Sequence, residues 1–164
     1  MKKLTLIFIL TTLAASVVYA GSEKTPEPEK KSQVAYRAES QQSFKGPEKW
    51  FTGNVQVDLL FPANETAHYS GAYVTFQPGA RTAWHLHPAG QHMIVTSGVA
   101  LTGTRDGRMM RFKAGDTVWC PRGIDHWHGA TPDAPMTHLV ITGALNGQNV
   151  VWKEKVTDEQ YNGK

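Results

Sequence analysis

From residue 55 onward the chain is a series of short apolar or alternating runs broken by turn residues. The runs cover residues 55–60, 72–76, 93–96, 99–104, 109–112, 117–119, 138–142 and 150–155. Between them stand Pro78-Gly79, Ser97-Gly98, Asp106-Gly107, Ala114-Gly115 and Pro121-Arg122-Gly123. Many short strands with regular turn signals predict an all-β sandwich or barrel. Asp106-Gly107 is the strongest hairpin signal, because glycine tolerates the positive φ such a turn requires. A closing helical turn is expected over residues 157–161, where Thr157 and Gln160 have capping-box spacing.

Composition narrows the function classes. At 164 residues, 40% hydrophobic and 19% charged, the chain suits one globular domain. It does not suit a coiled coil, a collagen-like chain or a multi-pass membrane protein. The formal charge of +3 includes Lys2 and Lys3; without them 15 basic residues face 14 acidic ones. That balance argues against a nucleic-acid partner. Cys120 is the single cysteine, which excludes an intrachain disulfide and a cysteine-based zinc cluster.

The amino terminus has the layout of a secretory signal peptide over residues 1–20. Lys2 and Lys3 precede an apolar run, and Val18-Tyr19-Ala20 ends on a small residue. The alternative is an uncleaved anchor, since the uncharged stretch 4–22 nearly suffices to span a bilayer. Cleavage after Ala20 predicts an exported, periplasmic or secreted protein with no stable membrane association. Without a twin-arginine pair, export would precede folding, and any metal would be acquired outside the cytoplasm. Residues 21–33 (GSEKTPEPEKKSQ) read as a disordered spacer, leaving 34–164 as the folded domain.

Six of the seven histidines fall between His85 and His138. His85 and His87 are two apart, so on a strand both face the same way and can grip one metal ion. His126, His128 and His138 are the candidates for a further ligand from a distant strand. Glycines and prolines recur around these histidines: Gly79, Gly98, Gly115, Pro121 and Gly123. They mark the corners of a small barrel, with polar residues at inward positions between them.

Two segments in this pattern resemble the paired motifs of the cupin superfamily. GARTAWHLHPAGQHMIVTSG, from Gly79 to Gly98, matches the first in every spacing, and GDTVWCPRGIDHWHGA, from Gly115 to Ala130, matches the second. Gln91 stands where the motif has Glu, and Ala130 where it has Asn. The resemblance implies an all-β, double-stranded β-helix (a cupin jelly-roll barrel). It also implies one divalent metal held by His85, His87, Gln91 and His126. The likeness extends over roughly residues 44–161 to a group of small single-domain bacterial cupins that includes manganese-dependent hydroxynitrile lyases. These also carry Gln at the fourth ligand position. Membership implies a metal-dependent lyase that cleaves or forms cyanohydrins, such as mandelonitrile from benzaldehyde and cyanide. Two further readings are a metal-dependent dioxygenase or oxidase, and a non-enzymatic metal- or ligand-binding cupin.

Three neutral imidazoles and a neutral amide leave a divalent ion its full +2 charge. That favours Lewis-acid chemistry over redox turnover. The resemblance suggests manganese; nitrogen and oxygen donors are also compatible with iron, zinc, nickel and copper. His138 and His128 are the candidates for proton transfer. Trp50, Phe51, Phe61, Tyr73, Phe76, Trp84, Trp119 and Trp127 read mainly as packing, with one or two lining an apolar pocket. Trp84 and Trp127, each beside a ligand, are expected to point to the opposite face, outward or into a dimer interface. Cys120 reads as a buried thiol, Arg81 and Arg122 as solvated turn residues with carboxylate binding as the alternative, and His68 and His92 as peripheral. The expected partner is a small-molecule substrate, and sheet edges predict a homodimer or homotetramer.

Overall fold

The computed structural model describes residues 32–164, so the leader over 1–20 and residues 21–31 of the spacer lie outside the described residues. The folded unit is Ala35–Lys164. After a 3-10 turn at Ala38–Ser40, its strands are β1 (Ser43–Lys45), β2 (Phe51–Thr52), β3 (Val55–Phe61), β4 (Tyr69–Phe76), β5 (Arg81–Thr82), β6 (His85–Leu86) and β7 (Gln91–Ser97). Then come β8 (Val99–Thr104), β9 (Met109–Lys113), β10 (Thr117–Cys120), β11 (His126–Ala130), β12 (Met136–Gly143) and β13 (Val151–Trp152), and one short helix, α1 (Asp158–Tyr161). No helix among the described residues is long and apolar enough to cross a membrane.

Antiparallel pairing builds two sheets, one in the order β1-β3-β4-β12-β7-β10 and the other β13-β6-β11-β5-β2, with β8 pairing β11 and β9 pairing β8. Alternation decides which side chains meet between them. On β12 every second residue is buried, from Met136 through His138 and Val140 to Thr142. Phe76, Val55, Met93, Val95 and Met136 are almost fully buried in this core. Each such side chain stabilises the fold by about 1.5–3 kcal/mol relative to exposure.

The turns fall where the glycines place them. Gly98 joins β7 to β8 at φ +74°, and a Cβ there would sit 2.2 Å from the Pro135 carbonyl oxygen. Gly107 turns β8 into β9 at φ +82°. At the far end Thr157 and Gln160 form the expected capping box: the Thr157 side chain accepts from the Gln160 N–H, and the Gln160 side chain accepts from the Thr157 N–H.

Three expectations are corrected. Trp84 and Trp127 do leave the histidine face, but they do not reach solvent or an interface. With Leu101, Val156 and Tyr161 they form a second apolar cluster. The carboxy-terminal tail covers them: Trp84 Nε1 donates to Gln160 Oε1 at 3.1 Å, and the Tyr161 hydroxyl donates to the Ala130 carbonyl at 2.7 Å. Arg81 is likewise buried rather than solvated, its guanidinium donating to the Val156 carbonyl and to Asp158 Oδ1. The last run, 150–155, pairs as a strand only over Val151–Trp152; beyond it Lys153 and Glu154 bond to the backbone of Trp84.

Candidate metal centre

Strand register brings the histidines together. His126 on β11 is the direct cross-strand partner of His85 on β6, and their rings lie 4.4 Å apart. His128 follows on the same face of β11, as spacing by two requires. Gly129 lets β11 come this close to the neighbouring chain: a Cβ there would sit 2.4 Å from the Ala80 carbonyl oxygen. The ligand nitrogens of His85, His126 and His128 all lie within 4.8 Å of one another, and this group could hold a metal ion. His87 stands just beyond β6, its ring 5.0 Å from that of His85 and 5.4 Å from that of His126. Gln91 opens β7 and is buried beside the same cavity.

Tautomers follow from the partners. The Nδ1 of His85 lies 3.0 Å from the Ala83 carbonyl, that of His87 2.7 Å from the Asn149 carbonyl, and that of His126 3.0 Å from the Ile124 carbonyl. A carbonyl oxygen can only accept, so each Nδ1 carries the hydrogen and each Nε2 keeps a lone pair. The Nε2 atoms of His87 and His126 are buried without a partner. Gln91 Nε2 donates to Thr142 Oγ1 at 2.8 Å, while Gln91 Oε1 is also buried without a partner. Buried acceptors left unpaired are costly, and a bound cation is one partner that would satisfy them. Donors of this kind fit a divalent metal.

Behind this group lies a second pair. His138 on β12 places its Nε2 3.0 Å from His128 Nδ1, a contact that joins the two sheets across the barrel. Phe76 packs on both rings, at 5.5 Å from His138 and 5.8 Å from His128. The His138 Nδ1 has no partner.

Burial dominates the electrostatics. Desolvation, then the neighbouring His126 and His87, hold the His85 pKa well below 6.5. Desolvation, then His138, does the same for His128. It brings His87 and His138 down to about 4 and lowers His126 as well. All five are neutral near pH 7, the state a metal ligand or a general base needs.

The site opens into a cavity of about 340 Å3. Its walls include His85, His87, Gln91, His128, Trp50 and Trp152. Trp152 was not singled out in the sequence, although it packs 4.8 Å from the His85 ring and stacks on Trp50 at 5.4 Å. Thr142 and the Asn149 carbonyl were missed for the same reason: both act through hydrogen bonds to ligand side chains, and they lie 51 and 62 residues away from those partners. A larger groove of about 1010 Å3 contains the peripheral His68. His92 lies on the outer face, 4.5 Å from the Trp119 ring, and Cys120 is a buried thiol whose pKa burial raises to about 11.

Paired sheets closing over inward imidazoles define the cupin class, and comparison with known proteins agrees. The family described as "Cupin domain" matches residues 72–142. The chain is 53% identical over 125 residues to an (R)-mandelonitrile lyase from Granulicella tundricola, a match covering 76% of this chain and 95% of that one. Among solved structures, a cupin-like protein from Thermotoga maritima is 39% identical at a TM-score of 0.68, covering 72% of this chain and 90% of its own. A polyketide cyclase from Streptomyces resistomycificus shares the fold at 15% identity and a TM-score of 0.60, covering 80% of this chain and 92% of the cyclase. The chain belongs to the cupin family.

Proposed function

We propose that this cupin is a hydroxynitrile lyase, cleaving and forming cyanohydrins of the mandelonitrile type. The observation that carries the reading is the set of buried unpaired acceptors, His87 Nε2, His126 Nε2 and Gln91 Oε1, beside a cavity that His85, His87, Gln91 and His128 line. The 53% identity to an (R)-mandelonitrile lyase supports the substrate class. His85, His87, Gln91 and His126 would hold a divalent metal, which we take to be manganese; His128, whose nitrogen lies within 4.8 Å of those of His85 and His126, lines the cavity where substrate would sit. Bound there, the ion would supply Lewis acidity toward the substrate oxygen.

The chain's own groups do the rest. Trp50, Phe51 and Trp152 form an apolar wall that suits an aryl ring. His128 accepts the hydroxyl proton of the cyanohydrin. The O–H electron pair becomes the carbonyl π bond, and the C–C bond breaks with its electrons leaving on cyanide. His138, tied to His128 Nδ1, fixes the ring that accepts the proton. The protonated His128 returns it to cyanide, so the products are aldehyde and hydrogen cyanide. The neutral ligand set leaves no protein charge to stabilise a +3 ion, which favours this route over oxygen chemistry. The expected leader over residues 1–20 would place the reaction outside the cytoplasm.

The test is cyanide release from racemic mandelonitrile by manganese-loaded protein in anaerobic buffer. Turnover undiminished by removal of oxygen supports the lyase; turnover of an aryl substrate only in air overturns it.

A further inference from the structure

Two segments far apart in the chain share one sheet edge. Strand β2 pairs with β5, and β13 pairs with β6. β5 and β6 are consecutive pieces of the run 81–86, and β11 lies on the other side of both. β2 and β13 therefore follow one another along the same edge, beside the run that carries His85. Each is only two residues long.

The seam between them is aromatic. Trp152 is the cross-strand partner of His85 and packs 4.8 Å from its ring, so both side chains take the face that looks into the cavity. Trp50 lies at 15° to Trp152, and Phe51 meets Trp152 edge-on at 5.6 Å. The Lys155 ammonium crosses the seam and donates to the Phe51 carbonyl, 104 residues away in the chain. Lys153 pairs with Asp125, next to His126.

We infer that Trp152 sets a preference for aryl over alkyl cyanohydrins, and that Lys155 is a positioning residue that keeps Trp50 and Phe51 seated against it. This rests on the lyase reading. A substrate ring gains stacked or edge contacts with the cluster beyond its buried area, whereas an alkyl group gains area alone. Because Trp152 sits on the His85 ring, a substrate ring held there is carried to the ligand nitrogens rather than to the cavity mouth. Ring contact and the Lys155 bond join the two segments, so loss of the lysine loosens the platform while leaving the histidines in place.

The test compares kcat/KM for cyanide release from mandelonitrile and from acetone cyanohydrin by the manganese-loaded full chain. Trp152→Leu should lower the aryl-to-alkyl ratio about 10-fold or more at unchanged metal stoichiometry, and Trp152→Phe should retain most of it. Lys155→Met should lower the ratio about 3-fold or more, chiefly through KM for mandelonitrile, and Lys155→Arg should restore it. Should Trp152→Leu misfold or lose metal, Trp50→Leu replaces it with the same expected shift. Calorimetric binding of benzyl alcohol reads the platform without turnover, and its affinity should fall with the ratio. A wild type that turns over neither substrate defeats the lyase reading, whereas unchanged benzyl alcohol affinity in the folded variants defeats the platform. Equal losses on both substrates, or an unchanged ratio, would overturn the inference.

Discussion

Inside the barrel, the carboxamide of Gln91 donates from Nε2 to Thr142 Oγ1 at 2.8 Å, and this turns its oxygen toward the unpaired histidine nitrogens. Only one end of an amide is a metal ligand. A buried acceptor for the NH2 end therefore decides which end faces the ion. Thr142→Val removes that acceptor at nearly constant volume and should weaken metal affinity about 10- to 100-fold. Thr142→Ser should restore it. Competition with a chelator of known affinity measures both.

The His128–His138 pair is separable from the metal. His138→Ala should keep the metal stoichiometry of the wild type, because His138 offers its Nε2 to His128 rather than to the ligand cavity. It should lower kcat by no more than the about 10²- to 10⁴-fold that loss of the proton-transfer group itself would cost, because His138 only holds the His128 ring. Elemental analysis beside steady-state kinetics separates the two effects.

Acid should weaken the metal-free protein. His87 and His138 have folded pKa values lowered to about 4 from 6.5. Between those values the unfolded chain binds more protons than the folded one. Their contribution is therefore complete above pH 6.5 and is lost as pH falls toward 4. The slope is about 1.4 kcal/mol per pH unit for each group fully inside that window. Urea midpoints of chelator-treated protein should fall steadily from pH 7 to pH 5; a flat series would contradict the burial of neutral imidazoles.

Gly129→Ala tests the backbone approach that aligns the histidines. Its Cβ would lie 2.4 Å from the Ala80 carbonyl oxygen, and backbone cannot swing away as a flexible side chain can. Overpacking of this kind costs about 1–3 kcal/mol. The thermal midpoint should drop, and metal affinity should drop with it, since His126 and His128 share the strand that must shift.

Much of this was legible before the fold was known. Spacing by two put His126 and His128 on one face, whereas the direct pairing of His85 with His126 appears only in the strand register. The helix cap was readable because Thr157 and Gln160 form it locally. Strands β5 and β6 were not, because two residues are too few to show alternation. The burial of Trp84 and Trp127 depended on a tail that returns over them from residues 156–161, and a strand pattern records which face a residue takes but not what covers it. Trp152 and Thr142 reach the site only through tertiary packing.

Metal content and cyanide release in the His85→Ala protein test the central claim most directly. His85 is the cross-strand partner of His126 and is almost fully buried, so its loss should open the ligand set. The wild type should carry one divalent ion per chain and release cyanide from mandelonitrile; the variant should carry none and release none. Full turnover by a metal-free His85→Ala protein would contradict the account.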